Sequence, residues 1–185
     1  MENIVAKDIE RVLISEDQLQ ARIAELAEQI SLDYADKDPI FVGVLKGVIV
    51  FFADFIKRVK IPCTMGFFRL SSYAGGTCST GKVEMKHAAG EDMKGRNVVI
   101  LEDIYDSGRS LKSAYEYVLS QEPASVKICT LLDKPEGRLP GMDVKVDYTG
   151  FVIPKEFVVG YGLDYQEHYR NLPYVGVLKP EVYEK

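Results

Sequence analysis

At 185 residues, 46% hydrophobic and 28% charged, the chain is sized for a single domain, 1–185, with a buried core. A net charge of −5 removes any general attraction to nucleic acid or an anionic membrane, and the longest apolar run, Val48 to Ala53, is far short of the roughly 20 residues that cross a bilayer. No cationic leader opens the chain, and Cys63, Cys78 and Cys129 lack ligand spacing, which points to the reducing cytoplasm.

Residues 9–14 read as a short strand. Ser15-Glu16-Asp17-Gln18 then has the capping-box pattern, in which the Ser15 hydroxyl meets an orphan N–H and Gln18 reaches back. Leu19, Ile23, Leu26 and Ile30 follow at helical spacing, so an amphipathic helix is predicted over 16–34, stopped at Asp38-Pro39. The apolar run 40–45 predicts a strand covered on both faces, and 48–59 a largely buried helix. Lys46-Gly47 between them is either an ordinary turn or, at the carboxyl end of a strand, an anion site. Strands over 63–70 and 83–86 flank a long, polar, glycine-rich loop, 71–82. Such a loop is a hairpin tip or an active-site lid, and Tyr73 among small residues favours the lid. Cys63 and Cys129 lie in apolar contexts and are expected to be buried; Cys78 lies in the polar loop.

Val98 to Leu101 predicts a buried strand, and Leu111, Tyr115, Val118 and Leu119 mark a helix to about 120. A strand over 126–132 ends in Asp133-Lys134-Pro135, where Lys134 reads as a solvated turn residue or, mildly favoured by its place at a strand end, as a functional one. Strands are predicted at 144–148, 157–161 and 175–178. His87 and His168 lie in polar contexts without metal-ligand spacing. Apolar strands alternating with helices predict an α/β fold around a mostly parallel sheet.

The chemistry concentrates after strand 98–101. Glu102 and Asp103 stand where the strand should leave the sheet, Asp106 follows, and Ser107-Gly108-Arg109-Ser110 leads into the helix. Ligands of parallel sheets bind outside the carboxyl ends of the strands, and a helix N-terminus offers free N–H groups to a phosphate. This is no Walker A loop, since it lacks Gly-Lys-Ser/Thr and carries three acids. Adjacent carboxylates can accept from ribose hydroxyls or help hold Mg²⁺, and Asp106 is free to handle a proton. The bland alternative for two acids at a strand end is a solvated turn.

Leu101-Glu-Asp-Ile-Tyr-Asp-Ser-Gly-Arg-Ser-Leu111 resembles the phosphoribosyl-pyrophosphate signature of the type I phosphoribosyltransferases. Residues 42–47, 71–73, 131–135, 157–165 and 169–180 resemble, in order, segments of its bacterial hypoxanthine (guanine) branch. The resemblance implies an α/β type I phosphoribosyltransferase fold: a mostly parallel twisted sheet flanked by helices, a small hood from N- and C-terminal segments, and a flexible lid. It implies transfer of the ribosyl 5-phosphate group from phosphoribosyl pyrophosphate to N9 of a 6-oxopurine in purine salvage.

Residue by residue, the resemblance places Glu102 and Asp103 at the ribose hydroxyls and Mg²⁺, and 106–110 (Asp106, Ser107, Gly108, Arg109, Ser110) at the 5-phosphate. Asp106 becomes the general base near purine N7. Lys46, Gly47 and Arg170 match pyrophosphate contacts, with a cis peptide at Lys46. Lys134 matches the donor to O6, Phe157 the ring stacked on the base, and Val158 a backbone contact to its edge. Asp164 is counted with the purine site and with a second Mg²⁺; Ser72 and Tyr73 match the lid. A homodimer or homotetramer is implied, without nucleic acid or membrane partners. Ser107 and Ser110 stand where threonine is usual, Tyr105 where an aliphatic residue is common, and the lid differs somewhat in composition and length.

Three other readings compete. An RNA-binding attenuation regulator on the same fold would show a basic face and lack Asp106, Lys134 and Phe157 together. A xanthine-preferring relative is harder to separate. A phosphoribosyl pyrophosphate synthase would be longer and carry an ATP site.

Overall fold

The computed structural model describes residues 4–72, 83–88 and 92–184. Its main sheet has six strands: β2 (Ile40–Leu45), β3 (Thr64–Ser72), β4 (Val83–Ala88), β5 (Asn97–Tyr105), β6 (Ser125–Asp133) and β7 (Tyr148–Val152), in the order β4-β3-β2-β5-β6-β7. All pairings are parallel except the antiparallel edge strand β4. The α/β expectation with a mostly parallel sheet holds.

Both faces of this sheet are covered, which is why its strands read as unbroken apolar runs. On one face α1 (Glu16–Asp33) and α2 (Ile49–Ile56) pack over Phe41, Val99, Leu101, Cys129 and Leu131. On the other, α3 (Arg109–Ser120) sets Leu111 and Val118 against Ile40, Val42, Val98, Ile100 and Ile128. The assignment alternates residue by residue along β5, as a pleated strand requires. The capping box at Ser15 is formed: Gln18 N donates to Ser15 Oγ at 3.3 Å and Ser15 N to Gln18 Oε1 at 2.9 Å.

A second, antiparallel sheet joins β1 (Ile9–Ile14), β9 (Val175–Leu178) and β8 (Val158–Val159), in the order β1-β9-β8. A single-turn α4 (Pro180–Tyr183) follows.

The strand expected at 144–148 is displaced to Tyr148–Val152. Val144 and Val146 do pack against the α3-side core, but Asp147 takes over the ladder beside them. Its N–H donates to Ile128 O at 3.0 Å, and its Oδ2 accepts from Ile128 N at 3.0 Å. Register with β6 therefore starts at Tyr148↔Cys129. The strand expected at 157–161 shortens to two residues, because Gly160 (φ 95°) turns the chain away. β5 runs on to Tyr105, so Glu102 and Asp103 are strand residues rather than loop residues. Cys129 is buried as expected, whereas Cys63 is only half-buried. His168 is exposed. Ser72 ends β3 opposite Val83; Tyr73, Cys78 and nearly all of the proposed lid lie outside the described residues.

Candidate active site

The chain moves outward from β2 to β3 on one side and from β5 through β6 to β7 on the other, so β2 and β5 flank the reversal of strand order. A crevice is expected outside their carboxyl ends. The parallel strands deliver Lys46-Gly47, Glu102 to Ser110 and Lys134 to this one edge. A cavity of about 350 Å³ lies there, lined by Lys46, Gly47, Glu102, Asp103, Asp106, Ser110, Lys134, Phe157, Val158, Asp164 and Arg170, with Val44, Leu45, Ile104 and Leu163. An adjoining cavity of about 200 Å³ extends over Ser107, Gly108, Ser110 and Leu111. Arg109 is exposed and lines neither.

The acids sit in unlike surroundings. Glu102 is 5% exposed, and its Oε2 is buried without a hydrogen-bond partner. Burial, then the neighbouring charge of Asp103, pushes its carboxyl well above the usual range. Burial also raises Asp103, against the pull of the Ile104 and Asp103 N–H groups and of Arg170. Asp106 is half-exposed, one residue beyond the strand, with its Oδ2 2.5 Å from Lys134 Nζ. Lys134 is 8% exposed; its Nζ also donates to Glu156 O at 3.3 Å, and its backbone N–H to Tyr105 O at 3.0 Å.

Gly108 caps α3 with φ 86°, a conformation that suits glycine. The turn leaves the first-turn N–H groups of a twelve-residue helix open towards the smaller cavity. At the other wall the Leu45–Lys46 peptide is cis, as the resemblance implied for Lys46. A side chain at Gly47 would run into the Asp103 carboxylate, so glycine lets the ends of β2 and β5 approach.

Asp164, Glu167 and Arg170 form a charged cluster on a loop after β8. Arg170 Nη2 lies 2.7 Å from Asp164 Oδ1 and 3.4 Å from Glu167 Oε2, and Arg170 Nη1 donates to Gly162 O at 2.7 Å. Glu167 also pairs with Lys46 at 2.9 Å, drawing both cations assigned to pyrophosphate onto one carboxylate. Asp164 is thus engaged with Arg170. Phe157, 38% exposed, stacks on Tyr183 at 4.8 Å and meets Tyr165 edge-on at 5.6 Å.

Sequence reasoning passed over Glu156, Glu167 and Tyr183. Glu167 carried a signal: an acid midway between Asp164 and Arg170 in a polar run. Glu156 acts through its backbone carbonyl, for which no side-chain signal exists. Among the described residues no group of three or more His, Cys, Asp or Glu forms a metal-ligand cluster, so Asp164 does not join Glu102 and Asp103 in one.

Comparison with known proteins identifies the family. A family profile described as phosphoribosyl transferase domain matches residues 15–166. A hypoxanthine-guanine phosphoribosyltransferase of Streptococcus pneumoniae is 51% identical over 180 residues, covering 97% of this chain and 99% of that one. One from Lactococcus lactis is 49% identical over the full length of both. The crystal structure of a hypoxanthine phosphoribosyltransferase from Staphylococcus aureus superposes with a TM-score of 0.92, at 45% identity and complete coverage of both chains. The chain belongs to the phosphoribosyltransferase family, in its hypoxanthine-guanine group.

Proposed function

We propose that the chain transfers the 5-phosphoribosyl group of phosphoribosyl pyrophosphate to N9 of hypoxanthine, and of guanine, giving IMP or GMP and pyrophosphate. The observation that carries this reading is the pairing of a nearly buried Lys134 with Asp106 in a cavity also lined by Phe157 and the Glu102-Asp103 pair.

In the reaction the anomeric C–O bond breaks, the C1′–N9 bond forms, and the purine gives up its N7 proton. Positive charge builds on the ribose and negative charge on pyrophosphate. Asp106 takes the proton. Lys134 donates to O6, which a 6-amino purine cannot accept. Phe157 covers one face of the base while the Val158 backbone meets its edge. Ser107, Gly108 and Ser110, with the α3 N-terminus, hold the 5-phosphate; Arg109 contributes its backbone N–H. Lys46, Gly47 and Arg170 hold pyrophosphate.

The acids suit a hard cation. Their donors are all oxygens, and the partnerless buried Oε2 of Glu102 lacks the positive charge that would offset its burial. Magnesium would be held by Glu102 and Asp103, with Asp164 serving a second ion; when bound, it supplies charge neutralisation on the leaving group. Glu102 and Asp103 also orient the ribose hydroxyls, and residues 71–82 serve as the lid.

The test is pyrophosphate release with hypoxanthine, guanine, xanthine, adenine and uracil in parallel. Turnover confined to the first two supports the reading, and preferential use of xanthine or of a 6-amino purine defeats it. Chelation should abolish activity and Mg²⁺ restore it. A homodimer or homotetramer in the cytoplasm completes the proposal, with solution mass as the check on assembly. No helix among the described residues is long and apolar enough to cross a membrane.

A further inference from the structure

Tyr105 is wholly buried at the last position of β5, one residue before Asp106, and carries a polar group into the α3-side core. Its hydroxyl accepts from Val144 N at 2.8 Å and has Met142 O at 3.3 Å as its nearer acceptor. The Arg138 guanidinium lies over its ring at 3.6 Å from the centroid and pairs with Asp133. The tyrosine therefore grips both ends of the segment 138–144.

That segment is a strap across the phosphate loop. Leu139 N donates to Ser107 O at 3.2 Å, and Lys112 Nζ on α3 donates to Gly141 O at 2.6 Å. A Cβ at Gly108 would stand 2.7 Å from Met142 O, so strap and loop are in direct contact at the turn that opens α3. The strap's last residues, 142–144, and the two that follow form neither strand nor helix. Their position is set by the packing of Val144 and Val146 on the α3-side core and by these hydrogen bonds, of which the one from Val144 N to the Tyr105 hydroxyl ties Val144 to β5.

We propose that Tyr105 is a positioning residue for the phosphoribosyl substrate: its hydroxyl holds the 142–144 strap against Gly108 and so fixes the turn whose N–H groups receive the 5-phosphate. This rests on reading Ser107 to Ser110 as the 5-phosphate site. The Tyr105 side chain is buried in the α3-side core and acts on the phosphate through the strap rather than by direct contact. Without the hydroxyl, Val144 N loses its partner and the strap is left with its Leu139–Ser107 and Lys112–Gly141 bonds, so it holds the turn less firmly, while Lys134 keeps its backbone hydrogen bond to Tyr105 O. Affinity for the phosphate end should fall and affinity for the base should not.

The experiment compares steady-state kinetics of the full chain with those of Tyr105→Phe, which keeps the ring under Arg138 and removes only the hydroxyl. KM for phosphoribosyl pyrophosphate should rise about five- to tenfold, the worth of one hydrogen bond, with KM for hypoxanthine within about twofold. Tyr105→Leu, which also removes the ring, should raise it further if it folds. Binding of inosine 5′-phosphate should weaken in Tyr105→Phe while binding of inosine does not. A lowered thermal midpoint with both KM values unchanged would reduce the hydroxyl to a structural role and overturn the proposal. Ser110→Ala separates the two levels. If it weakens phosphoribosyl pyrophosphate and Tyr105→Phe does not, the positioning role fails and the phosphate loop stands. If Ser110→Ala has no effect, the phosphate-loop reading fails and the proposal falls with it.

Discussion

Asp106 and Lys134 are each other's partner, 2.5 Å apart, and they are unequally exposed: 41% of the Asp106 side chain is open to solvent against 11% of Lys134. Deleting the lysine leaves a carboxylate that water can reach. Deleting the acid leaves an almost enclosed ammonium with one carbonyl, Glu156 O, at 3.3 Å. Asp106→Ala should therefore destabilise the fold more than Lys134→Met, by about 2 kcal/mol in denaturant unfolding. Equal losses would mean that the ammonium escapes to solvent on its own.

Asp106→Asn keeps the shape of the side chain and its capacity to meet Lys134, and removes the base. Turnover should drop by about 10²–10⁴ with phosphoribosyl pyrophosphate binding largely retained. Single-turnover kinetics with a separate binding titration distinguish these, and near-normal turnover would remove the proton-transfer role.

Gly47→Ala puts a methyl group into the Asp103 carboxylate. The clash is relieved by rotating a side chain, so the thermal midpoint should stay within a few degrees. The rotated carboxylate no longer faces the ribose, and kcat/KM for phosphoribosyl pyrophosphate should fall by about 10²-fold, the usual cost of misplacement near 1 Å. An active Gly47→Ala would show that the Asp103 orientation is not critical.

Asp54, on α2, is raised by burial but lowered more by hydrogen bonds from Lys57, Tyr161 and Gln20, which together bring it down to about 2. Tyr161 O–H donates to Asp54 Oδ2 at 2.6 Å and so anchors the loop that carries Asp164 and Arg170. A carboxyl depressed in the folded state stabilises above its unfolded value near 4 and stops doing so as pH falls through 2. Asp54→Asn should thus cost roughly 2 kcal/mol at pH 6, and the gap to the parent should close between about pH 4 and pH 2. Unfolding curves across that range decide it; a gap independent of pH would assign the effect to packing.

Local chemistry was legible in the sequence. The Ser15–Gln18 box, the α1 stripe from Leu19 to Ile30 and the apolar runs of β2 and β5 each follow from neighbours a few residues apart. The strand at 144–148 misled because Val144 and Val146 alternate correctly, while Tyr105, which takes the Val144 N–H, and Ile128, which takes that of Asp147, lie far away in the chain. Lys134 reads as a turn lysine whose strand-end position leans only mildly towards function, and the family resemblance gave it a role; the partners of its ammonium, Asp106 and Glu156 O, each lie more than twenty residues away. Tyr183 behind Phe157 and Glu167 between Lys46 and Arg170 are likewise products of tertiary folding.

The small sheet imposes an order on biosynthesis. β8 follows directly on Phe157 and pairs among the described residues only with β9, and β9 pairs with β1. A ribosome that has released α3 has already delivered every residue of the phosphate turn. The platform for the base waits for β9, more than fifty residues later, to bridge β8 to a strand made near the start. The residues assigned to the phosphate and the strap against them are thus all made well before the strand that completes the platform for the purine, and only the nearly finished polypeptide can join the two.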